Sequence, residues 1–168
     1  MSTPPLARIA VGVVVERRAA TSPWIEHVWR PVGVLAGVPE AGPWTPLPGA
    51  SGADTFYAGP AEVELYRSET TNYRDNLASG QPSLWVVLRP TSGDPPFSVM
   101  TVTADPAEGE AFTETATDLV EAVPMPPAIA EAVAAFVAEH HVERTFEKRR
   151  RDRADPEVFG RRRDEGSR

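Results

Sequence analysis

The sequence predicts an α+β fold, built mostly on an antiparallel sheet that curls into a small barrel. Short runs of β-branched and aromatic residues recur between turns of hairpin length, and about seven of them have the character of strands. Helical periodicity is confined to a short segment and one C-terminal stretch. Strands joined by short turns favour antiparallel pairing over β–α–β units, so one or two helices should cover an open face or cap an end.

The first predicted strand, Arg8–Glu16, carries β-branched residues at alternate positions, which places them on one face. A second strand is predicted over Trp24–Leu35, where Pro31 indicates either an edge strand or a bulge. Thr55–Ala58 and Ala61–Ser68 are predicted to pair as a hairpin, with Val63 and Leu65 inward and Glu62 and Glu64 outward. Leu84–Arg89 and Phe97–Thr103 are predicted to pair as a second hairpin. The last predicted strand is Leu119–Val123.

Two helices are predicted. A short one should run over Asp105–Thr115, because aspartate followed by proline supplies an N-cap and a first helical residue. A longer one covers residues 128–141, whose apolar side chains follow a single helical stripe. Proline and glycine crowd Gly37–Gly52, which predicts a surface loop. The polar stretch Glu69–Gly80 is predicted to be a loop or one helical turn.

Charge is divided unevenly along the chain. Residues 144–168 hold 10 basic and 6 acidic side chains, a net of +4, whereas the rest of the chain carries −11, which together give the total of −7. We therefore predict one α+β domain over residues 1–143 and a flexible basic tail over 144–168. An acidic protein surface suits this tail better than nucleic acid, which the acidic body would repel, and a merely solubilising tail is the alternative. The tail residues that would bind are Lys148, Arg149, Arg150, Arg151 and Arg153.

Several classes of chemistry find no support in the sequence. Cysteine is absent, which excludes disulfides and thiolate chemistry. No apolar run approaches the ~20 residues that span a bilayer, so a cytoplasmic protein without a membrane partner is expected. Neither a nucleophile elbow nor a phosphate-binding glycine loop occurs. His140 and His141 are adjacent on the predicted helix and cannot face one ion, so we expect no metal site. Because none of these motifs is present, we also expect no cofactor and no catalytic residue.

Two groups of residues are candidate binding sites. The first combines aromatic and cationic side chains typical of binding hot spots, although its two tryptophans could equally pack separately on opposite faces of a strand. The second is polar and could form a hydrogen-bonding pocket or an interaction ridge, or simply a crossover held by its own turns and surface pairs. The first group is Trp24, His27, Trp29 and Arg30; the second is Arg67, Glu69, Tyr73, Asn76 and Gln81.

The chain resembles a proteobacterial family of unknown function that is often encoded beside formate dehydrogenase genes. Some of its members are labelled molybdopterin-guanine dinucleotide biosynthesis protein A. The resemblance covers almost the whole chain. It rests on Arg8-Ile-Ala-Val-Gly-Val-Val-Val-Glu-Arg17, Ser22-Pro-Trp24, Trp29-Arg-Pro-Val32, Glu64-Leu-Tyr-Arg-Ser-Glu-Thr70, Asn76-Leu77 with Gln81-Pro-Ser83, Val87-Leu-Arg-Pro90, Glu121-Ala-Val-Pro-Met-Pro-Pro127, and His140-His-Val-Glu143 with Lys148-Arg-Arg150.

The biosynthesis label conflicts with these residues. A molybdopterin guanylyltransferase is a larger parallel α/β enzyme with a glycine-rich nucleotide loop after its first strand, whereas here the first predicted strand leads into Glu16-Arg17-Arg18-Ala19-Ala20. The acidic body, the basic tail and the absence of a catalytic motif, together with the gene neighbourhood that the resemblance implies, predict instead a non-catalytic accessory protein. Its expected partner is a formate dehydrogenase subunit or one of the maturation proteins of that enzyme. The alternative is a ligand-binding or enzymatic protein of molybdopterin cofactor metabolism, with a pocket around Arg67, Glu69, Asn76 and Gln81.

Overall fold

The structure, a computed structural model, describes residues 3–49, 52–115 and 117–141. In this part of the chain the fold is α+β, as predicted. The elements are β1 (Ala7–Ala19), β2 (His27–Ala36), β3 (Thr45–Leu47), β4 (Asp54–Leu65), a 3-10 turn (Arg67–Glu69), α1 (Thr70–Leu77), β5 (Ser83–Pro90), β6 (Phe97–Thr103), α2 (Pro106–Thr113), β7 (Leu119–Pro124) and α3 (residues 127–141).

The seven strands form one sheet in the order β2-β1-β4-β6-β5-β7, with β3 added alongside β4. Neighbouring strands are antiparallel except β4 and β6, which run parallel and are paired at one position, Val63 with Val102. The two ends of this order, β2 and β7, approach each other closely. The sheet therefore curls into a nearly closed barrel, which confirms the predicted architecture. No described helix is both long and apolar enough to cross a membrane.

The second strand contains the irregularity that its proline predicts. Opposite β1, Gly33 pairs with Val14 and Pro31 with Val15, which leaves Val32 as an extra residue in a bulge. The strand also ends the strand order, so both expectations for a strand with an internal proline hold. It begins at His27, however, and not at the predicted Trp24.

The predicted hairpin between residues 55 and 68 is wrong, because Asp54–Leu65 is one continuous strand. Val13 pairs with Gly59 and Val14 with Tyr57, so Ala58 is the extra residue of a bulge. Gly59 has a φ of 145°, which an L side chain rarely adopts, and the backbone passes this point without reversing. Gly59 and Pro60, which are typical of a turn, therefore lie at a bulge within one strand.

Two further segments carry more structure than predicted. The loop Gly37–Gly52 contains the short strand β3, which pairs with β4. The segment Glu69–Gly80 contains α1, an eight-residue helix and not a loop or a single turn. Its buried face consists of Thr70, Tyr73 and Asn76, spaced three apart. Because Thr70 and Asn76 are polar, the buried face of α1 has no hydrophobic periodicity by which the sequence could predict the helix.

The remaining elements agree with the sequence. The Asp105 side chain accepts a hydrogen bond from the Ala107 backbone N–H at 2.9 Å and so caps α2 as predicted. The sheet interior is filled mainly by valines and leucines, including the alternate positions of β1. Helix α3 adds its apolar stripe to this core through Ile129, Val133, Phe136 and Val137. The predicted basic tail lies outside the described residues.

Candidate functional site

The turn between β1 and β2, with the start of β2, exposes three large apolar side chains, which we call the Trp24 patch. Trp24 is 90% exposed, Ile25 55% and Val28 52%. The Ala20 backbone N–H donates to the Glu26 carbonyl at 3.1 Å, and the Trp24 N–H donates to Ser22 Oγ at 3.2 Å, so the turn is internally bonded. Apolar side chains concentrated in water over so few positions are typical of an interaction surface.

Charged residues adjoin this patch on the same face of β1 and β2. Val28 pairs with Arg18, and Arg30 pairs with Glu16. Arg18 Nε donates to Glu16 Oε2 at 2.7 Å, and an Arg30 guanidinium nitrogen approaches the same oxygen at 3.4 Å. The hydrogen bond from Arg18, aided by Arg30, holds the pKa of Glu16 below its usual value despite burial. The two guanidiniums are thereby fixed beside the exposed Val28.

The opposite face of the same strands carries an aromatic cluster around Trp29. The Trp29 ring lies 5.8 to 6.3 Å from four other rings, and the Arg17 guanidinium sits over Trp29 and Phe56 at 5.5 and 5.1 Å. The four other rings are those of His27, Trp44, Phe56 and Phe97. The first predicted group is thus divided: Trp24 lies in the turn, His27 and Trp29 pack on one face, and Arg30 lies on the other.

Two members of the second predicted group anchor α1 to the sheet. Asn76 Nδ2 donates to the backbone carbonyls of Ser83, at 2.8 Å, and Ala104, at 3.0 Å, while its Oδ1 accepts from the Ser83 N–H at 3.0 Å. The Tyr73 hydroxyl accepts a hydrogen bond from the Tyr66 backbone N–H at 2.9 Å. Both side chains are buried and their polar atoms are engaged inside the protein.

The second group does not converge on one concavity. Asn76 and Gln81 line a surface depression of about 600 Å³ that also includes the Trp85 ring. Glu69 and Tyr73 instead line a cleft of about 520 Å³ on another side of α1. Arg67 lines neither of these and is exposed in the 3-10 turn. A ligand site in the depression beside Asn76 and Gln81 stays a prediction.

The cleft beside Glu69 collects carboxylates that are distant in sequence, and we call it the acidic cleft. Glu69, Asp105 and Glu108 line it. Asn72 Nδ2 donates to both Glu69 Oε1, at 3.3 Å, and Asp105 Oδ1, at 3.0 Å, which ties α1 to the start of α2. Because Glu69 lies 36 positions before Asp105, only the packing of the two helices brings these groups together.

Two tyrosines at this cleft have altered acidity. The Tyr66 hydroxyl donates to Glu64 Oε1 at 2.7 Å. This hydrogen bond, with burial and the negative charges of Glu64 and Glu108, raises the pKa of Tyr66 from 10.0 to about 12. Burial raises the pKa of Tyr73 still further, against the opposing hydrogen bond from the Tyr66 N–H.

The raised pKa of Tyr66 predicts that the folded protein loses stability at alkaline pH. The folded protein holds the Tyr66 proton more tightly than the unfolded chain, so the stabilisation is complete below pH 10 and is lost as pH rises through about 12. Urea unfolding measured from neutral to alkaline pH should show the free energy of unfolding falling more steeply in the parent protein than in Tyr66→Phe. The chain has three tyrosines and one lysine, so few other side chains titrate in this range. Equal slopes for the two proteins would contradict the assignment.

The histidines of α3 contact separate partners. His141 Nε2 lies 2.9 Å from an Arg74 guanidinium nitrogen, and its Nδ1 lies 3.3 Å from Thr70 Oγ1. His140 packs against the Phe136 ring, with centroids 4.4 Å apart. Within residues 3–49, 52–115 and 117–141, no three His, Asp or Glu side chains are placed to hold a metal ion. The predicted tail residues Lys148, Arg149, Arg150, Arg151 and Arg153 lie outside the described part.

These observations define a class: a small α+β protein with a nearly closed sheet, an exposed tryptophan at one turn and a carboxylate-lined cleft beside α1. The family described as "Protein of unknown function (DUF3305)" matches residues 10–150, and the chain belongs to that family. The matched range includes β1 from its fourth residue and every later described element. No curated protein and no solved structure matches the chain.

Proposed function

We propose that this chain is a non-catalytic accessory protein that binds a partner during the maturation or assembly of formate dehydrogenase, a molybdoenzyme. The observation that carries the binding role is the Trp24 patch, whose tryptophan is 90% exposed. The identity of the partner rests on the resemblance to a family encoded beside formate dehydrogenase genes. We place the action in the cytoplasm, in keeping with a chain that has no cysteine to oxidise.

The physics of the patch favours a protein partner. Tryptophan is enriched among the residues that dominate interface energies, because burying its large ring removes ~150–250 Å² of surface from water. Arg18 and Arg30 stand beside Val28, so the complementary surface is an apolar pocket with carboxylates at its rim. The basic residues of the tail add attraction to the same acidic surface and act mainly on the association rate.

Replacing the exposed tryptophan should weaken the complex without unfolding the protein. Trp24→Ala is expected to raise the Kd for the partner by about 30-fold or more, the effect of losing an interface hot spot. The free energy of unfolding should change by less than ~0.5 kcal/mol, because this side chain packs against little of the fold. Binding can be measured by calorimetry with purified formate dehydrogenase subunits and their maturation proteins.

The matched control is Leu6→Ala. Leu6 is also exposed, at 54%, but it precedes β1 and its backbone pairs with Leu65, away from the β1–β2 turn. This variant should bind like the parent protein. If none of the purified dehydrogenase or maturation proteins binds the parent chain, the proposed function fails. If Trp24→Ala and Leu6→Ala raised the Kd for the partner equally, the Trp24 patch would not be part of the binding surface.

A further inference from the structure

The surface depression beside Asn76 and Gln81, which we call the Trp85 depression, has an aromatic ring in its wall. It measures about 600 Å³ and is lined by the end of α1, the loop that follows, the start of β5 and the first residue of α2. Trp85 is half-buried there. Gly109 of α2 packs directly against the Trp85 side chain, so the ring is held in place before any ligand arrives.

Two polar side chains at this depression are available to a ligand. Asp75 is exposed, and among the described residues its carboxylate has no hydrogen-bond or ion-pair partner. Gln81 is exposed as well, and its carboxamide has no partner in that part of the chain. Asn76 also lines the depression, but its amide is engaged by the backbone of Ser83 and Ala104. A ligand would therefore meet the Asp75 carboxylate and the Gln81 carboxamide.

The charges around the Trp85 depression favour a cation. Asp75 supplies a carboxylate, and the residues that end α1 line the depression, so the negative end of the helix dipole lies there too. The face of an indole ring attracts cations. None of the described residues that line the depression is basic, and Arg74, next to Asp75, contacts His141 and does not line it. The same features disfavour a phosphate group.

The carboxylates of the acidic cleft are less suited to a cation, because the protein already engages them. Asn72 Nδ2 donates to both Glu69 and Asp105, and Thr103 Oγ1 donates to Glu108. Asp105 also caps the start of α2. The positive end of that helix dipole attracts the carboxylates of the cleft and opposes an added cation.

The groove between β4 and β6, of about 500 Å³, is less suited for a different reason. Glu62 and Glu64 line it, and Arg8 Nε lies 3.7 and 3.6 Å from their carboxylates, so a cation of the protein already faces both charges. No aromatic ring lines this groove. Unlike these two hollows, the Trp85 depression combines an unpaired carboxylate, the negative end of a helix and an aromatic ring.

We propose that the Trp85 depression binds a guanidinium group, presented by an arginine side chain of a protein partner. A guanidinium is planar, so it stacks on an indole ring while it donates two parallel hydrogen bonds to one carboxylate, which the compact ammonium group of lysine cannot do. The guanidinium stacks on Trp85, donates to Asp75 and reaches the Gln81 side-chain oxygen. This surface is separate from the Trp24 patch, and the inference does not depend on the partner of that patch.

Titration of the full-length protein with short peptides tests the proposal. The probes are a glycine–arginine–glycine peptide with blocked ends and the same peptide with citrulline, which is neutral and has nearly the same shape. The chain has four tryptophans, so the indole N–H peak of Trp85 can be followed individually by NMR. The arginine peptide should shift this peak saturably. The citrulline peptide should bind about 10-fold more weakly, the difference between a charged and a neutral hydrogen bond. An unmoved Trp85 peak, or equal Kd values for the two peptides, would overturn the proposal.

Matched charge variants identify the carboxylate. Asp75→Asn should raise the Kd of the arginine peptide about 10-fold and leave that of the citrulline peptide unchanged. Glu110→Gln removes the same charge from an exposed residue of α2 outside the depression and should leave both Kd values unchanged. Both replaced side chains are exposed, so both variants should fold. An unchanged Kd for the arginine peptide in Asp75→Asn, or an equal rise in both variants, would overturn the proposal.

The protein alone, at high and at low concentration, distinguishes a different partner from a second copy of this chain. The proposal predicts that the Trp85 peak stays at one position at both concentrations. A concentration-dependent shift that Asp75→Asn removes would assign the bound arginine to a second copy, which would overturn the proposal of a different protein. Neither result affects the test of Trp24→Ala, so this inference and the proposed function can fail separately.

Discussion

Asn76→Ala is expected to lower the free energy of unfolding by about 3–5 kcal/mol, among the largest effects of any single substitution in this fold. The amide of Asn76 satisfies the N–H and carbonyl of Ser83 and the carbonyl of Ala104, at 2.8 to 3.0 Å. Each backbone group left unpaired in a buried position costs about 1–3 kcal/mol. Urea unfolding followed by circular dichroism measures the loss.

The matched control for this variant is Asp75→Ala. Asp75 is the preceding residue of α1, is exposed, and gains a similar helix propensity when replaced by alanine. Its free energy of unfolding should stay within ~0.5 kcal/mol of the parent value. A similar loss for both variants would show that Asn76 does not hold α1 in place. If Asn76→Ala were as stable as the parent protein, the amide of Asn76 would not be needed to hold α1, and it could instead bind a ligand in the predicted pocket.

Gly109→Ala is expected to destabilise the protein by about 1–3 kcal/mol, although the same change in an open helix stabilises by ~1 kcal/mol. Gly109 lies in α2 directly over Trp85 of β5. A Cβ at this position would lie 2.6 Å from Trp85 Cδ1 and 2.8 Å from Trp85 Cβ, far inside van der Waals contact. The helix must therefore move away from the sheet to accept any side chain. Thermal or urea unfolding provides the measurement.

Two further variants show whether the Trp85 ring causes the loss. Gly33→Ala adds the same methyl group in β2 where nothing lies within 4 Å, and it should have little effect. Gly109→Ala combined with Trp85→Ala should lose less stability than the two single variants added together, because the second change removes the obstruction. A Gly109→Ala protein that is as stable as the parent, or additive losses in the double variant, would contradict the packing described here.

The elements that the sequence predicts are those with a local chemical signal. Alternating valines identify β1, because a period of two has one meaning in a half-buried strand. Asp105 with Pro106 identifies the start of α2, since capping depends only on neighbouring residues. The turn at residues 92–95 identifies the β5–β6 hairpin in the same way. Each of these signals is contained within a few consecutive positions.

The elements that the sequence mispredicts depend on the rest of the fold. Gly59 and Pro60 have the chemistry of a turn, yet pairing with β1 on one side keeps β4 extended through them. Helix α1 buries Asn76, whose amide is satisfied by the backbone of Ser83 in β5 and of Ala104 just after β6, so the buried face of the helix resembles a loop in sequence. The same holds for function: sequence identifies Trp24 as a candidate, whereas its exposure and the assembly of the acidic cleft follow from tertiary packing.

The single pairing position between β4 and β6 divides the sheet into two parts that are also continuous in sequence. Strands β1–β4 occupy residues 7–65, strands β5–β7 occupy residues 83–124, and α1 links the two. Each part completes its antiparallel pairing within its own stretch of the chain, although partners such as Ala7 and Leu65 are far apart in sequence. Cohesion between the parts then comes mainly from side chains, so the molecule is organised as two sequence-local modules that dock through a common core.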